Sequence, residues 1–327
     1  MSDTMYVDGP VRPRALHSVR PAPDPRAVPR PRRDVGVPGE FVHRPATEDI
    51  LITAWNRLDD SRFSLTARWP HDHRYFTPHH GHHNIVLVGE TIRQAALLLS
   101  HTELGVPVGH HFVLTDLVYT TRPEHLAVDG RPRQLTIEAA LTHTRMRAGT
   151  LVSCRIDMTF RTAGRTVATG HTRFSVTTPA VYRRIRGERL SARRADSPLP
   201  APVPHWLTGS RTDSEVLLAP DGQSDRWLLR IAPGHAALVN PANDHVPGMV
   251  LLDAAQQATR ALTAPGPFVP YAFSTEFHRY AEHSAPCEIA ARRLPSAVAG
   301  TTTVEVTGHQ QGEPVFTSLL TAPERHR

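Results

Sequence analysis

The chain has 327 residues, 39% of them apolar and 21% charged, a balance that excludes a disordered protein and leaves room for two domains of ordinary size. The formal charge is +6, yet there is no lysine: all 37 cationic side chains other than histidine are arginine, scattered and not interleaved with aromatics. That pattern fits a GC-rich genome and argues against a nucleic-acid partner, while a basic surface suits an acidic protein or an anionic small molecule.

Residues 1–40 are rich in Pro and Arg without apolar periodicity and read as a tail that joins no core. The first folded unit is expected over 41–182. It opens with FVHRPATEDILITAW, then FSLTARWP alternates in strand fashion. The run IVLVGETIRQAALLLSHTELG predicts a helix that is apolar on almost every face and ends at Gly105 and Pro107. Four strands follow: HFVLTDLVYT, RQLTIEAALTHT, LVSCRIDMTF and RTVATGHTRFSVTT. Residues 183–210 turn Arg-, Pro- and Ser-rich and read as a linker. The second unit, 211–327, repeats the order. SEVLLAP and RWLLRIAP form a hairpin around Asp221-Gly222. PGMVLLDAAQQATRALT is its helix, and strands within FVPYAFSTEFHRY, PCEIAARRL, TTTVEVTGHQ and EPVFTSLLT complete it.

The halves are related in detail. Tyr75–Ala96 lies over Leu238–Thr259 without a gap, at a constant offset of 163. Pro78 meets Pro241, His82 meets His245, Glu90 meets Asp253, Gln94 meets Gln257 and Ala95 meets Ala258. An oily helix followed by a run of strands, written twice, predicts an α+β chain: a double hot-dog, each half a long antiparallel sheet wrapped around a buried helix.

Cys154 and Cys287 form no C-x-x-C pair and are expected as buried thiols. No run reaches membrane-spanning length and no signal-peptide core is present, so a cytoplasmic protein without a membrane partner is expected. Six histidines crowd HDHRYFTPHHGHH, His71 to His83. Without an H-x-x-x-H on a helix or a carboxylate cluster they read as a solvated loop, and no metal site is assigned.

A carboxylate inside an oily helix is costly unless paired. Arg93 lies three residues after Glu90, on the same helix face. The pair is either a structural ion pair or a titratable group held near a helix N-terminus, where free N–H groups polarise a carbonyl. The second carboxylate in register, Asp253, favours function.

HVPGMVLLDAAQQA resembles the helix signature of hot-dog acyl dehydratases. The catalytic His position of that signature is Val239 here, and Phe76 in the first half, so dehydratase chemistry is not expected. More of the chain, roughly residues 41–325, resembles the A-factor biosynthesis (AfsA-like) proteins of actinomycetes. The resemblance is carried by FVHRPATEDILITAW, LVGETIRQAALLLSHTELGVPVGHHFVLTDLVY and DHVPGMVLLDAAQQA. It implies an acyltransferase without a cofactor. A β-ketoacyl group passes from an acyl carrier protein or coenzyme A thioester to dihydroxyacetone phosphate, and the ester cyclises to a butenolide phosphate on the way to a γ-butyrolactone signal. A monomer or homodimer is expected. The alternatives are another carrier-protein thioester enzyme, of thioesterase or dehydratase kind, and a ligand-binding homologue that has lost turnover.

The resemblance carries over Glu90 and Arg93 of the first E-x-x-R-Q, with Asp253 second, as catalytic residues. Gln94, Gly248, Met249, Gln256 and Gln257 are expected to bind substrate. The second motif departs from the family pattern, because Asp253 is one methylene short and Gln256 replaces the arginine. Glu90 is the expected base and Arg93 the expected phosphate holder. The N–H groups near Ile85–Leu87 and Gly248–Val250 are the expected oxyanion donors.

Overall fold

The computed structural model describes residues 36–73, 75–191, 198–233, 235, 243–296 and 298–324. The tail expected over 1–40 lies outside the described residues as far as residue 35. After it, Val37 is buried and a short helix, α1 (Gly39–Val42), packs Val42 into the core. A hairpin of β1 (Ile52–Arg57) and β2 (Arg62–Trp69) follows. Phe63, Leu65, Ala67 and Trp69 of β2 are all buried on one face, the period of two expected of a strand with one wet side.

Helix α2 (Val86–Glu103) comes next, then β3 (His111–Thr121), β4 (Arg133–Arg147), β5 (Thr150–Thr162) and β6 (Arg165–Thr177). The Asn84 side chain accepts the Val86 N–H at 3.0 Å, satisfying an amide at the helix start. At the other end Gly105, at φ +69°, lets the Val106 N–H close back on Ser100 O at 3.0 Å. Helix α3 (Pro179–Arg186) runs into a 3-10 turn, Gly187–Leu190. These residues open the stretch that reads as a linker, yet Arg186 is only 2% exposed.

The second half holds α4 (His205–Thr208), β7 (Leu218–Pro220), β8 (Arg226–Leu229), β9 (His245–Val246) and α5 (Gly248–Thr263). It ends with β10 (Ala272–Phe277), β11 (Ala281–Glu282), β12 (Glu288–Leu294), β13 (Thr301–Gln310) and β14 (Glu313–Pro323). β7 and β8 pair across the Asp221-Gly222 turn. Both cysteines are buried and unpaired.

Among the described residues twelve strands form one antiparallel sheet in the order β1-β2-β4-β5-β6-β3-β10-β14-β13-β12-β8-β7. Read inward from either end, the succession is the same: the hairpin before the helix, then the later strands, ending on the first strand after the helix. The halves meet at β3 and β10, where Tyr119 faces Phe273 in register and their rings stack at 5.5 Å. The repeat extends beyond the helices. Gly39 and His205, which open α1 and α4, are 166 positions apart. Asp49 and Glu215, and Leu51 and Leu217, keep that offset. The architecture is a double hot-dog, and the two helices are oily all round because sheet and partner helix cover them.

Candidate active site

Glu90 is 1% exposed and is gripped by three side chains. Arg93 donates Nε to Oε2 at 2.9 Å and Nη2 to Oε1 at 3.0 Å. Arg44 donates Nε to Oε1 at 2.9 Å, and its Nη2 lies 2.8 Å from Oε2. Gln94 donates Nε2 to Oε1 at 2.7 Å. Burial alone pushes this carboxyl up, but the charges and hydrogen bonds of Arg44 and Arg93 override it and hold its pKa far below the ordinary range. Arg44 comes from the segment after α1 and has no counterpart in the helix motif.

Asp253, 6% exposed, is hydrogen-bonded by no guanidinium among the described residues. The Tyr75 hydroxyl reaches across from the first half to donate to Oδ2 at 2.6 Å, and Gln257 donates Nε2 to the same oxygen at 2.9 Å. Burial dominates here and raises the pKa above its ordinary value, against the Tyr75 hydrogen bond that lowers it. Both arginines of the first half are replaced. Gln256 stands in register with Arg93, and its buried Oε1 has no partner among the described residues. Ser210 stands in register with Arg44: Arg44 N–H bonds Gly39 O at 2.9 Å, and Ser210 N–H bonds His205 O at 3.1 Å.

Gln94 and Gln257 are matched clamps. Gln94 Oε1 accepts the Leu51 N–H and its Nε2 donates to Asp49 O, both at 2.8 Å. Gln257 Oε1 accepts the Leu217 N–H at 2.8 Å and its Nε2 donates to Glu215 O at 3.0 Å. Both were expected to bind substrate; instead their amides are consumed in tying the chain before each hairpin to its helix.

A cavity of about 1800 Å³ joins the halves. Arg44 and Arg93 line it from the first half, and Gly248 and Met249, which open α5, line it from the second. Glu90, Asp253, Gln94, Gln256 and Gln257 are not in its wall. The Val250 N–H turns back to Pro247 O at 2.9 Å, but among the described residues the Gly248 and Met249 amides bond no acceptor. The expected donors at the start of α2 differ, since Val86 and Leu87 N–H are taken by Asn84.

The cavity is rich in histidine. His43, beside Arg93, is brought down to about 3 by burial and then by that guanidinium, so it is neutral. His235 lies against the Tyr75 ring at 4.7 Å, with both buried ring nitrogens lacking partners among the described residues. The run His71–His83 is not a uniformly solvated loop: His73 and His83 are buried, and His73 Nδ1 accepts the Tyr75 N–H at 3.1 Å. Among the described residues no group of three His, Cys, Asp or Glu side chains is arranged to hold a metal ion.

Helix α3 closes one wall of the cavity. Arg186 donates Nη1 and Nη2 to the Glu282 carboxylate at 2.6 and 2.7 Å and Nε to Asp244 at 2.7 Å. Its guanidinium lies 4.5 Å above the Tyr280 ring. Tyr182 stacks on His111 at 3.5 Å, so α3 is pinned to both halves.

The sequence matches the A-factor biosynthesis hot-dog domain over residues 27–178 and 191–322. The chain belongs to that family. It is 44% identical over 288 residues to the 2-oxo-3-(phosphooxy)propyl 3-oxoalkanoate synthase of Streptomyces coelicolor, covering 88% of this chain and 91% of that protein. The synthase of the same name from Streptomyces virginiae is 41% identical, covering 87% and 96%. That from Streptomyces griseus subsp. griseus is 40% identical, covering 96% and 99%. Among solved structures, a protein assigned as an oleoyl thioesterase from Lactobacillus plantarum superposes with a TM-score of 0.50 at 14% identity, covering 82% of this chain and 99% of that one. A protein assigned as a thioesterase from Novosphingobium aromaticivorans gives 0.50 at 16% identity, with 83% and 98% covered. These two likenesses establish the hot-dog fold. Among the described residues no helix is long and apolar enough to cross a membrane.

Proposed function

We propose that this chain joins a β-ketoacyl thioester to the hydroxyl of dihydroxyacetone phosphate, the ester that the relatives' shared name describes. The observation that carries the reading is the lining of one cavity, which brings together two arginines and the residues that open a helix. Such a site suits a dianionic phosphate held by arginine while a thioester oxygen is polarised by the helix amides. A cavity of this size, larger than an ordinary single-ligand pocket, has room for both substrates.

In this reading Glu90 is the residue that aims Arg44 and Arg93. A carboxylate tied by two guanidiniums and an amide, with its pKa held down, is a poor proton acceptor at neutral pH. Arg44 and Arg93 grip the phosphate. Gly248 and Met249 stabilise the oxyanion with their N–H groups. The thiol carrier, acyl carrier protein or coenzyme A, leaves from the mouth of the cavity.

The test is incubation of the purified protein with a β-ketoacyl thioester and dihydroxyacetone phosphate, followed by mass spectrometry. The phosphorylated 3-oxoacyl ester, or the butenolide phosphate formed from it, is the expected product. Free β-keto acid released at the same rate with or without the acceptor overturns the reading in favour of a thioesterase.

A further inference from the structure

Ester formation needs a base, and neither carboxylate of the repeated motif lines the cavity. His245 does. It sits on β9, three residues before α5 opens. Its Nδ1 lies 2.9 Å from Asp244 Oδ1, with the Tyr182 hydroxyl 3.3 Å away. Asp244 is fixed in turn: Tyr182 donates to it at 2.8 Å and Arg186 at 2.7 Å. Burial pushes Asp244 up, but the hydrogen bonds from Arg186, His245 and Tyr182 outweigh it and bring it down to about 2. An anion beside Nδ1 keeps the proton on that nitrogen and leaves Nε2 as the lone pair. Among the described residues Nε2 bonds no partner. Tyr280 packs against the ring at 4.6 Å and fixes its plane.

The first half supplies an internal comparison. His82 is the counterpart of His245 in the repeat, but Gly81 stands where Asp244 does. His82 Nδ1 meets a backbone carbonyl, that of His80, at 2.9 Å, and the residue does not line the cavity. The oriented histidine therefore exists in the half whose helix N-terminus opens into the cavity.

We propose that His245 is the general base of ester formation and Asp244 the residue that positions it, an inference that rests on the function read above. Nε2 takes the proton of the acceptor hydroxyl as that oxygen bonds to the thioester carbon. The carbonyl electron pair moves onto oxygen, which the α5 amides hold. The tetrahedral intermediate collapses, the C–S bond breaks, and the departing thiolate takes the proton back from Nε2. Thioester and alcohol become ester and thiol, with nothing oxidised or reduced. Burial lowers the imidazole below its ordinary value, with Asp244 opposing, so the neutral form is the one present at pH 7.

The test compares His245→Gln, Asp244→Asn and His235→Gln with the unmodified protein, using a β-ketoacyl pantetheine thioester and dihydroxyacetone phosphate. His245→Gln should lower kcat about 10²- to 10⁴-fold, with KM for the acceptor within threefold and the circular dichroism spectrum unchanged. Asp244→Asn should lower kcat and move its acidic limb, while His235→Gln should stay within tenfold. The limb is read against the groups around His245: Asp244, Tyr182, Arg186, His111, Tyr280 and Glu282. Activity of His245→Gln within tenfold of the unmodified protein overturns the assignment, as does a loss confined to His235→Gln. If the unmodified protein forms no ester at all, the function itself is wrong, and the base assignment falls with it.

Discussion

The two carboxylates that the repeat places in register should respond in opposite ways to neutralisation. Glu90→Gln leaves Arg44 and Arg93 facing one another with the anion between them removed. Five contacts of 3.0 Å or less end on that carboxylate, four of them from guanidiniums. Taking one partner from a buried ion pair costs about 3–5 kcal/mol. At on the order of 2–4 °C per kcal/mol for a protein of this size, the thermal midpoint should fall about 6–20 °C. Asp253→Asn removes a charge that burial disfavours, and an amide oxygen in the place of Oδ2 still accepts from Tyr75 and Gln257. Its stability should stay within about 1 kcal/mol of the parent or rise.

The pH dependence fixes the sign. The Glu90 carboxyl is held below its ordinary value of 4.5, so its contribution is complete above that pH and is lost as pH falls toward the depressed folded value. The deficit of Glu90→Gln should therefore be full at pH 7 and narrow below about 4.5. Asp253 is raised above 3.8, so its burial cost is present above the folded value and fades as pH drops through it. Any gain from Asp253→Asn is thus largest at neutral pH. Thermal melts by circular dichroism from pH 3.5 to 8 decide the matter. An unaffected Glu90→Gln, or an equal loss in Asp253→Asn, refutes this account of the two sites.

Arg44→Ala and Arg93→Ala should each raise KM for dihydroxyacetone phosphate about 10- to 100-fold, the loss of a charge-assisted bond to a dianion, with smaller effects on the thioester; steady-state kinetics with each substrate varied checks this. Arg186→Met should lower stability by about 3 kcal/mol, read by urea denaturation, because Asp244 and Glu282 lose the cation that pairs them. Gly170→Ala should cost about 1–3 kcal/mol by the same measurement. A Cβ there falls 2.7 Å from both Tyr119 Cβ and Val118 O, inside the sheet where β6 crosses under α2.

Local pattern carried much of this protein. The oily helices, the alternating strands and the Asp221-Gly222 hairpin each follow from residues within one window, and the repeat follows from comparing two windows. Chemistry that depends on distant partners was hidden. Arg44 meets Glu90 across 46 positions, and nothing in RPATEDI marks that arginine as the second cation of the site. Arg186 meets Asp244 across 58 positions from a stretch whose Arg and Pro content reads as linker. Gln94 and Gln257 beside buried carboxylates look equally suited to substrate or scaffold. The backbone groups they clamp lie 40 or more positions away and decide for scaffold.

The departure of the second motif from the family pattern can be tested by repair. If Gln256 and Asp253 marked a simple loss, Gln256→Arg with Asp253→Glu would rebuild a second arginine site. The surroundings argue otherwise. Tyr75 and Gln257 already share the Asp253 oxygen, and a longer side chain pushes the carboxylate into that Tyr75 bond, which is 2.6 Å long. Ser210, not arginine, stands where a second guanidinium enters in the first half, so the rebuilt pair lacks the residue that completes the grip on Glu90. A buried guanidinium with one displaced carboxylate gains too little to offset its desolvation. The double variant should therefore lose about 2–4 kcal/mol in urea denaturation and gain no activity in the ester assay. A variant at least as stable and more active than the parent would mean that the second carboxylate belongs to a substrate site after all.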